Sequence, residues 1–534
     1  VNLDWLGWTI SILAGVVYAV IGAPKWMRVA QREHYIAPWV SRITWLWYRV
    51  SPWTLAGPIV ALVLIIASAL VATAPTLTTV LDAGKPTNEI FFAALPASVA
   101  TAFAGHSPFG LPAQGSSSKL AWTSRVQRLL AVWLVLVIII GGALTLLIGP
   151  AGVALALLLL PVITDLALVI LAPIEKRLSR KFVVSARKRL GQVRPKVVAI
   201  TGSYGKTSTK GYVAHLLSGS FGVVASPASF NNLMGLSRAV NERVVPGTEV
   251  FVAEMGVYGT GEIRELSKYF PPDVAAITTI GEAHLARMGS RETIFKAKSE
   301  ITEKAGTVVL PIDEKELAGL AEKCRAEGKR VVTVSVHPEV PADVVVNGNG
   351  GIVTVGSETA AVHIPNVGHA VNLAIAVGIA VALGLDLKTI APRLGALPDS
   401  HHRAEVQQAE NGLVVIDDTY NSNPVGANRA LHGAAEIARE RGGNLVVVTP
   451  GMVELGHVQY ERNRAFAASV AAAGGYLFAI ARTNRKALVD GFDGTGGHPV
   501  QTFDKRADAV AAALDQAGER GVILYENDLP DHYP

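Results

Sequence analysis

Two patterns of apolar and polar positions divide the chain. Up to about residue 175 the apolar positions form long runs, at 5–21, 53–74, 129–149 and 151–172. Each approaches or exceeds the roughly 18 to 20 residues that an α-helix needs to cross the hydrocarbon layer of a bilayer. Beyond 175 no such run occurs, and short β-branched stretches alternate with helical patterns: "VFVAEMGV", "VAAITTIG", "GTVVLP", "RVVTVSV", then "LVVIDDT", "NLVVVTPG", "GYLFAIAR" and "GVILYEN". That alternation predicts an α/β protein with mainly parallel sheets. The glycine-rich run 346–368 reads as hairpins, with the helical "HAVNLAIAVGIAVALGL" after it. Proline and polar residues in "RLGALPDSHHRAEV" break the pattern and set a domain boundary near 395–400. The expected organisation is a helical transmembrane region over 1–175, a basic juxtamembrane linker over 176–194, and α/β domains over 195–396 and 397–534.

Charge orients the helical region. Lys25 to Arg49 carries five Lys/Arg against one acid, and "IEKRLSRKFVVSARKRLGQVRPK" is denser still, so both are expected in the cytoplasm. "KWMRVAQR" and further spans follow the first apolar run, which fits retained membrane structure better than a cleaved leader. Parity then asks for one more crossing. The weakly apolar "EIFFAALPASVATAFAG" (89–105) supplies it, giving five spans with the N-terminus outside; four spans and a re-entrant loop is the competing arrangement. The expected location is the bacterial cytoplasmic membrane, multi-pass, with the α/β domains in the cytoplasm. Asp165 falls inside the fourth run, where ionisable groups are costly, and the sequence assigns it no role.

Composition changes the picture little. The formal net charge of +5 is largely the juxtamembrane cluster, which suits anionic lipid better than nucleic acid. Cys324 is the only cysteine, so an intramolecular disulfide and multi-cysteine metal sites are excluded.

Candidate chemistry begins at "ITGSYGKTSTK", residues 200–210. "VVAIT" reads as a buried strand and "KTSTKGYVAHLL" as the helix after it. Gly202 and Gly205, flanking Ser203 and Tyr204, let the backbone turn its N–H groups toward a phosphate at a helix N-terminus; Lys206 adds positive charge and Thr207 a hydroxyl suited to Mg²⁺. The spacing G-x-x-G-K-T is shorter than the usual phosphate loop. "VAEMGVYGTGEI" sets Glu254 at a strand end, "TTIGEAHLARMGS" sets His284 after another, and "RETIFKAKSEI" carries Lys296 and Lys298 on a helix. Strand ends on the side of a phosphate loop are where an open α/β sheet builds its site. Taken singly, Glu254 also fits a strand-end ion pair, His284 a satisfied buried histidine, and Lys298 a solvated helix face.

Together with "NNLMGLSRAV", "PPDVAAITTIGEAHL" and "DDTYNSNP", in this order, these stretches resemble the Mur ligase family of ATP-dependent amide-bond ligases in peptidoglycan precursor synthesis. The similarity covers about 195–534 and is greatest to members that add D-alanyl-D-alanine to a muramoyl tripeptide. The resemblance implies a phosphate-loop central domain, a Rossmann-like C-terminal domain, ATP, and two Mg²⁺ ions. Thr207 and Glu254 would hold one ion, His284 and a carbamylated Lys298 the other; Lys298 rather than Lys296 matches the family's lysine before x-x-Ile. It implies further that Arg403, Asp418 and Asn372 reach the nucleotide, and that Asn231, Asn232, Tyr420, Asn421 and Asn423 face substrate. "DDTYNSNP" also fits a polar turn, and Asn372 a helix cap.

Two departures put the acceptor in doubt: membrane spans occupy the place of the family's UDP-binding domain, and no "KGSRG"-like stretch appears near the C-terminal end. A lipid-linked precursor or a surface polymer such as poly-γ-glutamate is the alternative carboxylate, and a cell-wall synthesis complex the expected company. An ATP-driven transporter predicts hydrolysis without an amide product, and its signature between ATPase halves is missing. A silent scaffold predicts loss of Lys206, Glu254, His284 or Lys298, all of which are present.

Overall fold

The structure, a computed structural model, describes residues 3–73, 88–115, 119–227, 230–348, 350–362, 370–398, 405–419, 422–492 and 498–534. It divides into two compact units, residues 1–178 with 481–483 and 529–534, and residues 179–480 with 484–528.

The first unit is helical: α1 (Asp4–Arg32), α2 (Trp39–Val50), α3 (Pro52–Thr73), α4 (Glu89–His106), α5 (Ser124–Ile148), α6 (Ala151–Leu158) and α7 (Leu160–Val193), the last running on into the second unit. α1 buries a stripe of small residues, Gly7, Ser11, Gly15, Ala19 and Ala23. A Cβ at Gly7 would lie 2.9 Å from the backbone of Ile90 and Phe91, so the stripe lets α4 approach closely. α4 answers with Ala93, Ala97, Ala100 and Ala104, all buried. Its weak hydropathy follows, since alanine serves helix-to-helix contact where leucine would serve lipid. By length and composition α1, residues Pro52–Ala72 and α5 are apolar enough to cross a membrane; α6 and α7, bent by 62°, make a fourth if the pair is one span. α4, the segment expected as the extra crossing, is not among them.

Asp165 has a structural task that the sequence does not announce. Its carboxylate accepts from the backbone N–H of Val40 (3.2 Å) and Ser41 (2.9 Å) and from Ser41 Oγ (2.5 Å). It thereby caps the first turn of α2, whose own N-cap, Pro38, supplies no side-chain bond.

Residues 529–534 belong to this helical unit as well. The fully buried Arg28 guanidinium pairs with Asp531 and donates to Pro112 O at 2.5 Å. His532 Nε2 lies 3.0 Å from Glu33, with both side chains only 3% exposed, and Trp47 Nε1 donates to His532 O at 2.8 Å.

The second unit holds two sheets. Among the described residues, β1 (Lys196–Thr201), β2 (Val223–Ala225), β3 (Val250–Glu254), β4 (Val274–Ile277), β5 (Thr307–Pro311), β6 (Arg330–Ser335), β7 (Val344–Asn347), β8 (Ile352–Val355) and β9 (Glu358–Ala361) form one sheet in the order β2-β3-β1-β4-β5-β6-β7-β8-β9. It is parallel through β7 and antiparallel in the β7-β8-β9 hairpins. The chain leaves β1 on one side for β3 and on the other for β4, so the switch point of the sheet lies at the end of β1. Apolar layers cover both faces, which is why these strands read as continuous β-branched runs. The helix Ala370–Ala382 is apolar all round and buried in one of those layers. At 13 residues it is about 20 Å long, too short to span a bilayer.

The second sheet comprises β10 (Glu405–Gln408), β11 (Val414–Asp418), β12 (Leu445–Thr449), β13 (Tyr476–Ile480), β14 (Gln501–Phe503) and β15 (Val522–Glu526), in the order β10-β11-β15-β12-β13-β14. Only β10 runs antiparallel.

Replacing Asp531 by alanine removes the carboxylate that pairs with the buried Arg28 charge, and should destabilise the helical unit by about 3 kcal/mol. Thermal unfolding in detergent, followed through the helical signal, checks this; a midpoint equal to that of the unaltered protein would show that residues 529–534 contribute nothing there.

Candidate active site

The turn after β1 is forced by its glycines. Gly202 has φ +149° and Gly205 φ +79°, and a Cβ on Gly205 would stand 2.1 Å from Asn372 Oδ1. Asn372, on the buried helix Ala370–Ala382, thus packs directly on the loop. The helix Lys206–Leu217 starts at once, with its first N–H groups turned toward the loop. Lys206 folds back over it, donating to Gly202 O at 2.7 Å.

Glu254 ends β3, opposite Ile200 in the register of β1. Its Oε2 accepts from Thr207 Oγ1 at 3.0 Å and from Lys210 Nζ at 2.9 Å, and Asn231 Nδ2 stands 3.4 Å from Oε1. Burial alone would push this carboxyl up; the charges of Lys210 and Lys206 and the two hydrogen bonds outweigh it and hold the group below its ordinary value. A hard divalent cation finds here a hydroxyl and a carboxylate oxygen side by side, which is a fitting donor pair.

His284 caps the short helix Leu285–Met288 in a left-handed conformation, φ +62°. Burial lowers its pKa, Glu454 raises it, and Lys206 and Lys298 lower it, with a net fall. Lys298 is 1% exposed, whereas Lys296 lies on the exposed face of the same helix. Burial and the charge of Lys206 push the Lys298 amine well below its usual range. No carboxylate pairs with Lys298 among the described residues.

The second sheet contributes the other wall. A cavity of about 960 Å³ is lined from the first sheet's side by Tyr204, Gly205, Gly281 and Asn372, and from the second by Asp418, Asn423, Arg429 and Arg462. Its size suits a nucleotide. Arg462 closes on Glu282 with Nε at 2.8 Å and Nη2 at 2.5 Å. Asp418 lines the cavity at the end of β11, beside Glu526 at the end of β15. Complete burial and the Asp418 charge push the Glu526 carboxyl well above 4.5.

The residues singled out from sequence are thus brought together in part. Lys206, Thr207, Glu254, His284 and Lys298 surround the phosphate loop, and Asn372 and Asp418 line the cavity. Asn232 and Asn423 cap helices, accepting from Gly235 N (2.9 Å) and Gly426 N (2.8 Å). Arg403, Tyr420 and Asn421 lie outside the described residues. Lys210, Glu454, Arg462 and Glu526 were missed. Only Lys210 left a signal: it follows Thr207 by three residues, one helical turn along the same face.

Sequence comparisons cover the same α/β region. Residues 200–381 match the Mur ligase middle domain, and residues 402–525 the Mur ligase glutamate ligase domain. The chain belongs to the Mur ligase family. A UDP-N-acetylmuramoyl-tripeptide–D-alanyl-D-alanine ligase of Mycobacterium leprae is 34% identical over 262 residues, which are 45% of this chain and 50% of that protein. The chain therefore spans about half the length of this curated relative. Among solved structures, MurF of Acinetobacter baumannii superimposes with a TM-score of 0.56 at 24% identity, covering 65% of this chain and 77% of that one. MurF of Thermotoga maritima, determined in complex with ADP, gives 0.55 at 22% identity, covering 66% and 80%. Both likenesses speak for the Mur ligase α/β fold, which here carries an additional N-terminal helical region.

Two outcomes follow from the geometry. Gly205→Ala drives a Cβ into Asn372 and strains the loop, and should weaken binding of a fluorescent ATP analogue at least about tenfold; unchanged binding would separate the loop from the nucleotide. Glu526 holds its proton more tightly folded than unfolded, so its contribution to stability is full below 4.5 and is lost as pH rises through the raised folded value. Glu526→Gln should therefore flatten the fall of the unfolding midpoint above pH 4.5, and an unchanged pH profile would refute the assignment.

Proposed function

We propose that the chain is a membrane-anchored, ATP-dependent amide ligase that joins D-alanyl-D-alanine to the terminal carboxylate of a muramoyl tripeptide. The observation that carries this reading is the cluster around the phosphate loop: Lys206, Thr207 and Glu254 next to a half-buried histidine and a deeply buried lysine.

In this reading the substrate carboxylate attacks the γ-phosphoryl group of ATP, giving an acyl phosphate and ADP. The amine of the dipeptide then attacks the activated carbonyl, and the tetrahedral intermediate collapses with loss of phosphate and a proton. The chain's own work is positioning and charge neutralisation. Backbone N–H groups of Gly205 and Lys206 cradle phosphate, Lys206 spreads its charge over the transferred group, and Asn372 and Asp418 orient the nucleoside. Thr207 and Glu254 would hold one Mg²⁺, and His284 with Lys298 a second, which together neutralise the polyphosphate. A lysine amine suits that hard cation poorly. The neutral amine enforced by burial, however, is the form that adds CO₂, and its carbamate is an anionic oxygen donor.

Exposed apolar side chains on the N-terminal helices, among them Ile138 (72%) and Leu147 (75%), support membrane anchoring. With the basic stretches they favour a cytoplasmic placement for the ligase domains. The same helices favour a second reading, in which the carboxylate belongs to a lipid-linked precursor or surface polymer.

The test is mass-spectrometric detection of product from the detergent-solubilised full chain with ATP, Mg²⁺, D-alanyl-D-alanine, and either UDP-muramoyl tripeptide or its lipid-linked counterpart. Condensation on the UDP substrate is expected. Condensation only on the lipid substrate establishes the second reading, and ADP release without either product overturns both. Lys298→Arg should abolish ligation with no recovery in bicarbonate, while Lys298→Ala should recover partly with a small carboxylate; full activity of Lys298→Arg removes the carbamate.

A further inference from the structure

We infer that Glu454 is a positioning residue through which the second-sheet domain sets His284 for metal binding, an inference that rests on reading the site as a metal-assisted ligase centre. Glu454 lies in the loop after β12, with φ +62°, a conformation that a non-glycine residue keeps only when its surroundings enforce it. Its acceptors all go to one short stretch of the other sheet's domain. Oε2 takes the Nδ1 proton of His284 at 2.6 Å, Oε1 accepts from Arg287 Nε (2.8 Å) and Nη2 (2.6 Å), and the carbonyl accepts from Ala286 N at 2.9 Å. Two residues on, Gly456 passes so near that a Cβ there would lie 3.3 Å from Ala286 N.

The contact decides a protonation question. The Glu454 carboxylate is held by the Arg287 guanidinium through Oε1 and offers the imidazole only an acceptor at Oε2. A hydrogen must then sit on Nδ1, which puts the lone pair of the metal-binding, neutral form of the imidazole on Nε2. The Tyr258 ring, its centroid 4.9 Å from that of the imidazole and the two planes at 74°, restrains the same imidazole from another side. A carboxylate behind a histidine ligand fixes both tautomer and aim. Glu454 is carried by the second sheet, whereas His284, Lys206 and Lys298 stand on the first. The histidine is therefore set only when the two domains engage, a contact reinforced by the Arg462–Glu282 pair.

Metal binding tests this without any ligation substrate. The full-length protein in detergent is titrated with Mn²⁺ in the presence of ADP, and free Mn²⁺ is read by electron paramagnetic resonance. Glu454→Gln, nearly the same shape, should weaken nucleotide-dependent Mn²⁺ binding by about 10- to 100-fold, with metal-free ADP binding unchanged. Equal Mn²⁺ affinity in the two proteins overturns the inference and leaves the ligase reading standing, even if the variant melts earlier. Absence of Mn²⁺ binding to the unaltered protein removes both. Should the variant fail to fold, ¹⁵N-histidine spectra of the unaltered protein decide, with the His284 signal assigned by its loss in His284→Gln. A neutral Nδ1–H tautomer is expected, and an Nε2–H tautomer or an imidazolium overturns the inference.

Discussion

A lysine buried without an acid beside it is the constraint on which the site depends. Lys298 is 1% exposed and feels the charge of Lys206. Holding it as an ammonium there would cost several kcal/mol, which pushes the group toward the neutral amine. Glu254 does not relieve it, because its Oε2 is engaged by Lys210 and Thr207. Positive potential is left over around the phosphate loop, and a polyphosphate is the kind of ligand that relieves it. The buried amine and the helix N-terminus thus work toward one end: one is chemically prepared, the other electrostatically.

The two sheets meet this constraint in different ways. The first fixes its groups locally: β1 and β3 are in register, so Ile200 stands opposite Glu254, and the loop follows one residue after β1 ends. The second supplies groups across a gap in sequence of more than 160 residues, through Glu454 to His284 and Arg462 to Glu282. Each element of the second sheet that reaches the site, whether Asp418, Glu526 or the loop after β12, leaves a strand at its carboxyl end, the side on which an open parallel sheet collects ligands.

That difference also governs what the sequence makes legible. β1, β3 to β6, β11 to β13 and β15 carry continuous apolar runs because both faces of their sheets are covered, and the β7-β8-β9 hairpins announce themselves by glycines such as Gly351 and Gly356; residues 363–368 of the expected hairpin stretch lie outside the described residues. β2 and β14, with three residues each, are too short to show a period, and β10 is an edge strand of mostly polar residues. At the site, the loop, Glu254, His284 and Lys298 are readable because strand ends and family order mark them. Glu454 is not, since nothing in "GMVELG" tells that a glutamate in a left-handed turn will meet a histidine 170 residues earlier. Asp165 is the same case in the helical unit, where a carboxylate in an apolar run has its reason in a helix end 124 residues away.

Hydropathy alone also fails to separate three uses of apolar sequence, and exposure separates them. The helix Ala370–Ala382 is as apolar as any span, yet ten of its residues are buried against the first sheet. α4 spends its alanines on close helix contact. α5 buries only Val126, Leu129 and Trp133 and turns Leu134, Val135, Ile138, Ile139, Leu146 and Leu147 outward. Such a surface is costly in water, at roughly 25 cal/mol per Å² of apolar area, and costs nothing in hydrocarbon. The N-terminal helices are therefore set apart less by how many apolar residues they contain than by how many of them the fold declines to bury.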